Sequence, residues 1–105
     1  MAGEDGVDAL VEKTMSISRP EFETGLQRLA GTAPISRDQE GYLLQGVGAE
    51  RQTIRCSFEP LPDAVLGKFL KLPRARITLH LASLSSEARA DFLALFDRTF
   101  QRGGG

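Results

Sequence analysis

The 105-residue chain contains one cysteine, one histidine, one tyrosine and no tryptophan. With Cys56 alone no internal disulfide can form, and the scarcity of Cys and His leaves too few ligands for a zinc site of the usual composition. No apolar run exceeds a few residues, too short for a helix that crosses a membrane, so no membrane partner is expected. The acidic start, with Glu4, Asp5 and Asp8, lacks the basic and apolar stretches of a secretory signal. The expected location is therefore the cytoplasm. There is no basic tail, although charge is unevenly divided. Residues 1–50 carry four basic side chains against nine acidic, net −5, and residues 51–105 carry nine against five, net +4. Opposite signs in two halves that pack together suggest internal complementarity before they suggest a polyanion site.

What is present is ordinary globular composition, 41% hydrophobic and 26% charged, with two runs of clean alternation. In residues 52–59, Ile54, Cys56 and Phe58 fall on one side and Thr53, Arg55, Ser57 and Glu59 on the other. In residues 74–81, Ile77, Leu79 and Leu81 oppose Arg76, Thr78 and His80. Both read as strands with one apolar and one polar face, the habit of an antiparallel sheet covered on one side only.

Residues 1–17 are expected to be flexible or partly helical, since Val7, Leu10, Val11 and Met15 recur at helical spacing behind Gly3 and Gly6. Ser18 and Glu21 stand in capping-box relation, with Pro20 tolerated in the first turn. Phe22, Leu26, Leu29 and Ala30 then line one face of a helix that Gly31 ends. Residues 31–40 read as loop and 42–47 as a short strand of undecided parity. Glycines 46 and 48 favour a reversal that pairs this strand antiparallel with residues 52–59. These glycines do not form a phosphate cradle, which must lead into a helix, because a strand follows.

Pro60 and Pro62 are expected to end the second strand. Residues 63–72 allow either a helical turn capped by Asp63 or an extended segment with Lys68 outward. The preferred reading is a turn or irregular crossing that lays Leu66, Phe69 and Leu70 over the core. The last helix, 86–101, has Ser85 or Ser86 as cap, acids early and arginines late. Its apolar stripe is Ala88, Phe92, Leu95, Phe96 and Phe100.

The fold expected is α+β, an antiparallel sheet of three or four strands with two main helices on one face, in the order α-β-β-β-α. Residues 18–102 make a single domain and 103–105 a flexible glycine tail. That order resembles double-stranded RNA-binding domains in topology alone. Those domains grip phosphates with a lysine cluster opening the last helix, where this chain has Ser85, Ser86, Glu87, Ala88 and Arg89. The ending Arg102-Gly103-Gly104-Gly105 resembles the diglycine of ubiquitin-like proteins and sulfur carriers, but theirs follows a strand and this one a helix.

Strand parity sets His80 and Cys56 on opposite faces, which argues against a thiol-imidazole pair. Neither a catalytic centre nor a cofactor is expected. The candidate binding surface is Arg55, Lys68, Lys71, Arg74, Arg76 and His80, on or beside the polar sheet face. The function expected is a non-catalytic binding or assembly module that contacts another protein or a second copy through that face or a strand edge. A small-anion or nucleic-acid binder using the same cations is the alternative, and an enzyme comes third.

Overall fold

In a computed structural model that describes residues 10–47 and 52–100, five strands and two helices follow in the order β-α-β-β-β-β-α. They are β1 (Leu10–Met15), α1 (Arg19–Ala30), β2 (Ile35–Asp38), β3 (Gly41–Val47), β4 (Gln52–Leu66), β5 (Leu70–His80) and α2 (Ser86–Phe100). The strands form one antiparallel sheet in the order β1-β5-β4-β3-β2. The class is α+β as the alternation predicts, but the sheet has five strands and not three or four, and a strand precedes the first helix.

The expectations for 1–9, for the reversal at 48–51 and for the tail 103–105 lie outside the described residues. At 10–15 a strand stands where helical spacing predicts a frayed helix. Leu10 pairs with His80 and Met15 with Ala75, so Val11, Lys13 and Met15 face the helices. Lys13 disguises the alternation: its stem lies inward while its ammonium reaches Asp97 of α2 at 3.0 Å. β2 likewise replaces part of the expected loop, its one apolar residue, Ile35, packing against the core.

The two long strands obey the expected phase. Ile54, Cys56, Ala75, Ile77 and Leu79 are fully buried on the helix side, and Tyr42 and Leu44 settle the parity of β3. α1 opens with the capping box: Ser18 N donates to Glu21 Oε1 at 3.0 Å, and Glu21 N to Ser18 Oγ at 3.4 Å. Gly31, at φ +64°, ends it by donating its amide to the Gln27 carbonyl. α2 is capped by Ser85, whose Oγ accepts from Ala88 N at 3.2 Å.

Aromatic rings knit the layers together. Phe22 lies 5.5 Å from Tyr42, 5.2 Å from Phe58 and 5.5 Å from Phe100, centroid to centroid, and Phe96 lies 4.5 Å from Phe100. Such pairs add about 0.5–1.5 kcal/mol each beyond the area they bury.

β4 and β5 do not stop where the prolines predict. They continue past the neighbouring strands as a two-stranded ribbon, Leu61 pairing with Arg74, Ala64 with Leu72, Val65 with Lys71 and Leu66 with Leu70. A proline removes a ladder bond only where a partner strand waits for its N–H. Pro60 and Pro62 lie beyond the last pairing of β3, at Tyr42–Cys56, and Pro73 lies beyond the end of β1 at Met15–Ala75. Pro62 also sits where the β4–β5 register shifts, between Leu61 and Ala64. Residues 63–72 are thus an arm reaching about 20 Å from the sheet, at ~3.3 Å per residue. They do not cross the core, and Phe69 at the tip is 96% exposed.

Two substitutions test this packing. Phe96→Ala is expected to cost about 3–5 kcal/mol through lost transfer energy and the cavity left behind, read as a fall in denaturation midpoint. Gly25 is buried on α1 with the Phe100 ring directly over it, so that a methyl there would overlap the ring. Gly25→Ala should therefore lower the melting temperature by overpacking, about 1–3 kcal/mol, despite alanine's better helix propensity. A melting temperature raised by this change would show that the ring moves aside freely.

Candidate binding surface

The helix-free side of the sheet is built from alternate residues of each strand. β5 presents Arg74, Arg76, Thr78 and His80, and β4 presents Arg55, Ser57 and Glu59 opposite them. The cations of this face are matched by carboxylates. Arg55 makes a two-pronged contact with Asp38, at 3.0 and 3.2 Å, and approaches Glu40 at 3.8 Å; Arg76 meets Glu59 at 3.0 Å. The Arg55 guanidinium, with the Glu40 amide, holds the Asp38 carboxyl below its ordinary value, and Asp38 in turn raises Arg55.

His80 is half-buried, with Nε2 at 3.5 Å from Ser57 Oγ, and Ser57 Oγ also donates to the Glu40 carbonyl at 3.3 Å. Cys56 is on the other side of the sheet, paired with Leu79, and burial pushes its thiol up to about 12. A thiol held there is protonated at neutral pH and is a packing group. Among the described residues no group of three or more His, Cys, Asp or Glu is arranged to hold a metal ion.

The six expected surface residues do not converge. Arg74, Arg76 and His80 follow one another along one face of β5, with Arg55 across the ladder from His80. Lys71 pairs with Val65 on the opposite face of the arm, and Lys68 sits in the turn, next to Gly67 at φ +76°. From Leu70 to His80 the row runs about 33 Å at ~3.3 Å per residue, too extended for one small ligand.

Sequence patterning missed the arm's apolar surface. Residues paired across an antiparallel ladder share a face, so Leu61, Ala64, Leu66, Leu70 and Leu72 continue the helix-free side outward. Val65 lies on the reverse face. The large apolar side chains exposed among the described residues are Leu10, Val65, Leu66, Phe69 and Leu70, four of them at the arm's end. The signal was present as an apolar cluster around Gly67, but spacing alone does not say whether such a cluster is covered.

Two other features are structural. Arg89, buried on α2, donates Nε to the carbonyls of Leu81 at 3.2 Å and Leu84 at 3.1 Å and so satisfies the turn leaving β5. Tyr42 donates to Glu23 Oε2 at 2.7 Å and accepts from Arg19 at 3.1 Å, tying α1 to β3; burial, then the Glu23 bond, raises its hydroxyl above the ordinary value. No family model, curated protein or solved structure matches the chain. No helix among the described residues is long and apolar enough to cross a membrane.

The Asp38–Arg55 pair makes a pH prediction with a definite sign. A carboxylate depressed in the folded state contributes stability that is fully present above its unfolded pKa and is lost as pH falls through the folded one. Thermal stability should therefore fall in acid more steeply for the native chain than for Asp38→Asn. Parallel acid limbs in the two melting profiles would remove Asp38 from the acid response.

Proposed function

We propose that the chain is a non-catalytic binding or assembly module that acts through protein–protein contact, self-association included, with the β4–β5 arm as its leading surface beside the helix-free sheet face. The observation that carries this reading is Phe69, 96% exposed at the end of a ribbon whose neighbouring Val65, Leu66 and Leu70 are also exposed. An aromatic anchor ringed by aliphatic side chains is the composition of an interface centre. Clustered exposed apolar residues mark contact sites where scattered ones do not. The separation of Cys56 from His80 supports a module without catalysis, and the single buried thiol accords with a cytoplasmic setting.

The small-anion or nucleic-acid alternative draws on Lys68, Lys71 and Arg74, which have no ion-pair partner among the described residues. It is the weaker reading because Arg55 and Arg76, the other two cations it needs, already hold carboxylates.

A photoreactive phenylalanine analogue at position 69 tests the assignment in cells that express the chain. Irradiation should give covalent adducts with protein, either a second copy or another chain, and the same probe at exposed Thr24 on α1 should give few. Adducts confined to nucleic acid or lipid would contradict the reading.

A further inference from the structure

The arm ends in the three-residue turn Gly67–Lys68–Phe69, so Lys68 is its apex, with exposed Phe69 beside it and exposed Val65, Leu66 and Leu70 behind. Charged and apolar side chains are interleaved there. Lys71 pairs with Val65 across the ladder and shares its face, and Arg74 pairs with Leu61 on the other face. One cation therefore stands at the very tip, and each face of the ribbon carries another level with its apolar residues.

Several unpaired charges elsewhere have a local explanation. Arg28 and Arg98 lie in the last turns of α1 and α2 and Glu87 in the first turn of α2, where the helix dipole favours each of them. No such effect acts on Lys68, Lys71 and Arg74. With Asp63 as the one carboxylate among them, they give residues 61–74 a net charge of +2 in a chain whose total is −1. Their side chains hold no ion pair among the described residues. The arm's reach of about 20 Å exceeds the ~8 Å screening length at physiological salt, so this charge acts on whatever the tip touches and is little offset by the rest of the molecule.

The interleaving selects among surfaces. A bilayer takes apolar side chains at depth and cations at its boundary. Inserting Phe69 there would carry Lys68 deepest of all, and inserting Val65 would carry Lys71 with it. A nucleic acid would engage the cations but gain little from aliphatic side chains on two faces. A protein recess can set a carboxylate at any depth between apolar walls. Neither recess on a second copy offers this. The groove between β1 and α2, about 530 Å³, has Glu12 as its one lining carboxylate, offset by Arg89. The cleft between α1 and β2 is about 170 Å³, and its carboxylate Glu23 already holds Tyr42 and Arg37.

We infer that the arm's partner is a different protein, with an apolar recess that receives Phe69, Leu66 and Leu70 and has a carboxylate at its floor for Lys68 and another on its wall for Lys71. The inference rests on the arm being a protein-contact surface and adds the chemistry of what receives it.

The photoreactive analogue at position 69 of the full chain tests it when each adduct is mapped to a single peptide, with circular dichroism confirming the fold of each variant. The adducts should join position 69 to a protein other than this chain, on a peptide that holds Asp or Glu among apolar residues. Lys68→Glu should lower their yield by about tenfold or more, as expected when a buried ion pair becomes a like-charge contact. Arg28→Glu, the same change of charge away from the arm, should leave the yield unchanged. Adducts that map to peptides of this chain overturn the inference while the arm reading stands, with a second copy as occupant. Adducts with another protein that persist at full yield in Lys68→Glu overturn the carboxylate floor and likewise leave the arm reading intact. Adducts with lipid or nucleic acid alone, or none at all, end both.

Discussion

The fold depends on the phase in which β4 and β5 pair. With Cys56 opposite Leu79 and Phe58 opposite Ile77, every second residue of both strands points into one dry layer, and the intervening residues are forced to the bare side. A slip of one residue would exchange the two sets, putting Arg55, Arg76 and His80 under the helices. The phase is fixed because the helices bring a matching surface. Phe22 of α1 and Phe96 and Phe100 of α2 interlock above Tyr42 and Phe58, and the close approach of the two helices needs the bare backbone of Gly25 beneath the Phe100 ring. The same phase buries Cys56 as a protonated packing group and separates it from the one imidazole, so the packing itself rules out a thiol-imidazole pair.

Charge is settled mostly by pairing. Acids of the first half meet a base of the second at Arg55 with Asp38 and Glu40, Lys13–Asp97 joins the halves with the signs reversed, and Arg37–Glu23 and Arg76–Glu59 are matched within their own halves. These pairs are largely solvated, each worth about 0–1 kcal/mol in general; Lys13–Asp97 and Arg37–Glu23 join the sheet to the helices, and the pairs of Arg55 and Arg76 neutralise the helix-free face. Pairing leaves Glu12, Asp63, Glu87 and Asp91 over among the described carboxylates, and Arg28, Lys68, Lys71, Arg74 and Arg98 without an ion pair among the described cations. The complementarity that the two-halves count implied within the chain is therefore incomplete.

The central strands and both helices were legible because their signals are local. Ser18 and Glu21 close the cap within one turn, and Ile54, Cys56 and Phe58 alternate without interruption. β1 was illegible because Lys13 occupies an inward position, which only the distant Asp97 makes acceptable, while Val11 and Met15 fit a helix equally well. Four-residue β2, with Ile35 as its lone apolar member, shows too little alternation to stand apart from a loop. The arm failed for a different reason. Spacing lays Leu66, Phe69 and Leu70 over the core on the premise that clustered apolar residues are covered by their own chain, and it reads the prolines as strand stops, whereas Pro60, Pro62 and Pro73 lie where β3 and β1 no longer pair. As for the surface, the sequence identified the row of β5 cations but not the carboxylates that answer Arg55 and Arg76, because those pairings cross from strand to strand.

An isolated two-stranded hairpin is marginal in water, and beyond Ala75 the arm has little to support it besides its own cross-strand pairs and a bond from Ser16 Oγ to the Pro73 carbonyl at 3.2 Å. Its free edges would invite another strand, yet they carry Pro60, Pro62 and Pro73, with Lys68 and Lys71 near the tip, the devices by which sheet edges resist indiscriminate pairing. Backbone addition is thus discouraged along the ribbon while its side chains stay uncovered on both faces, Leu66 and Leu70 on one and Val65 on the other. A flat interface would cover only one of those faces. A projection that is apolar on two sides and capped by an aromatic ring is suited to a recess, which covers it from several directions at once and stabilises the ribbon in doing so.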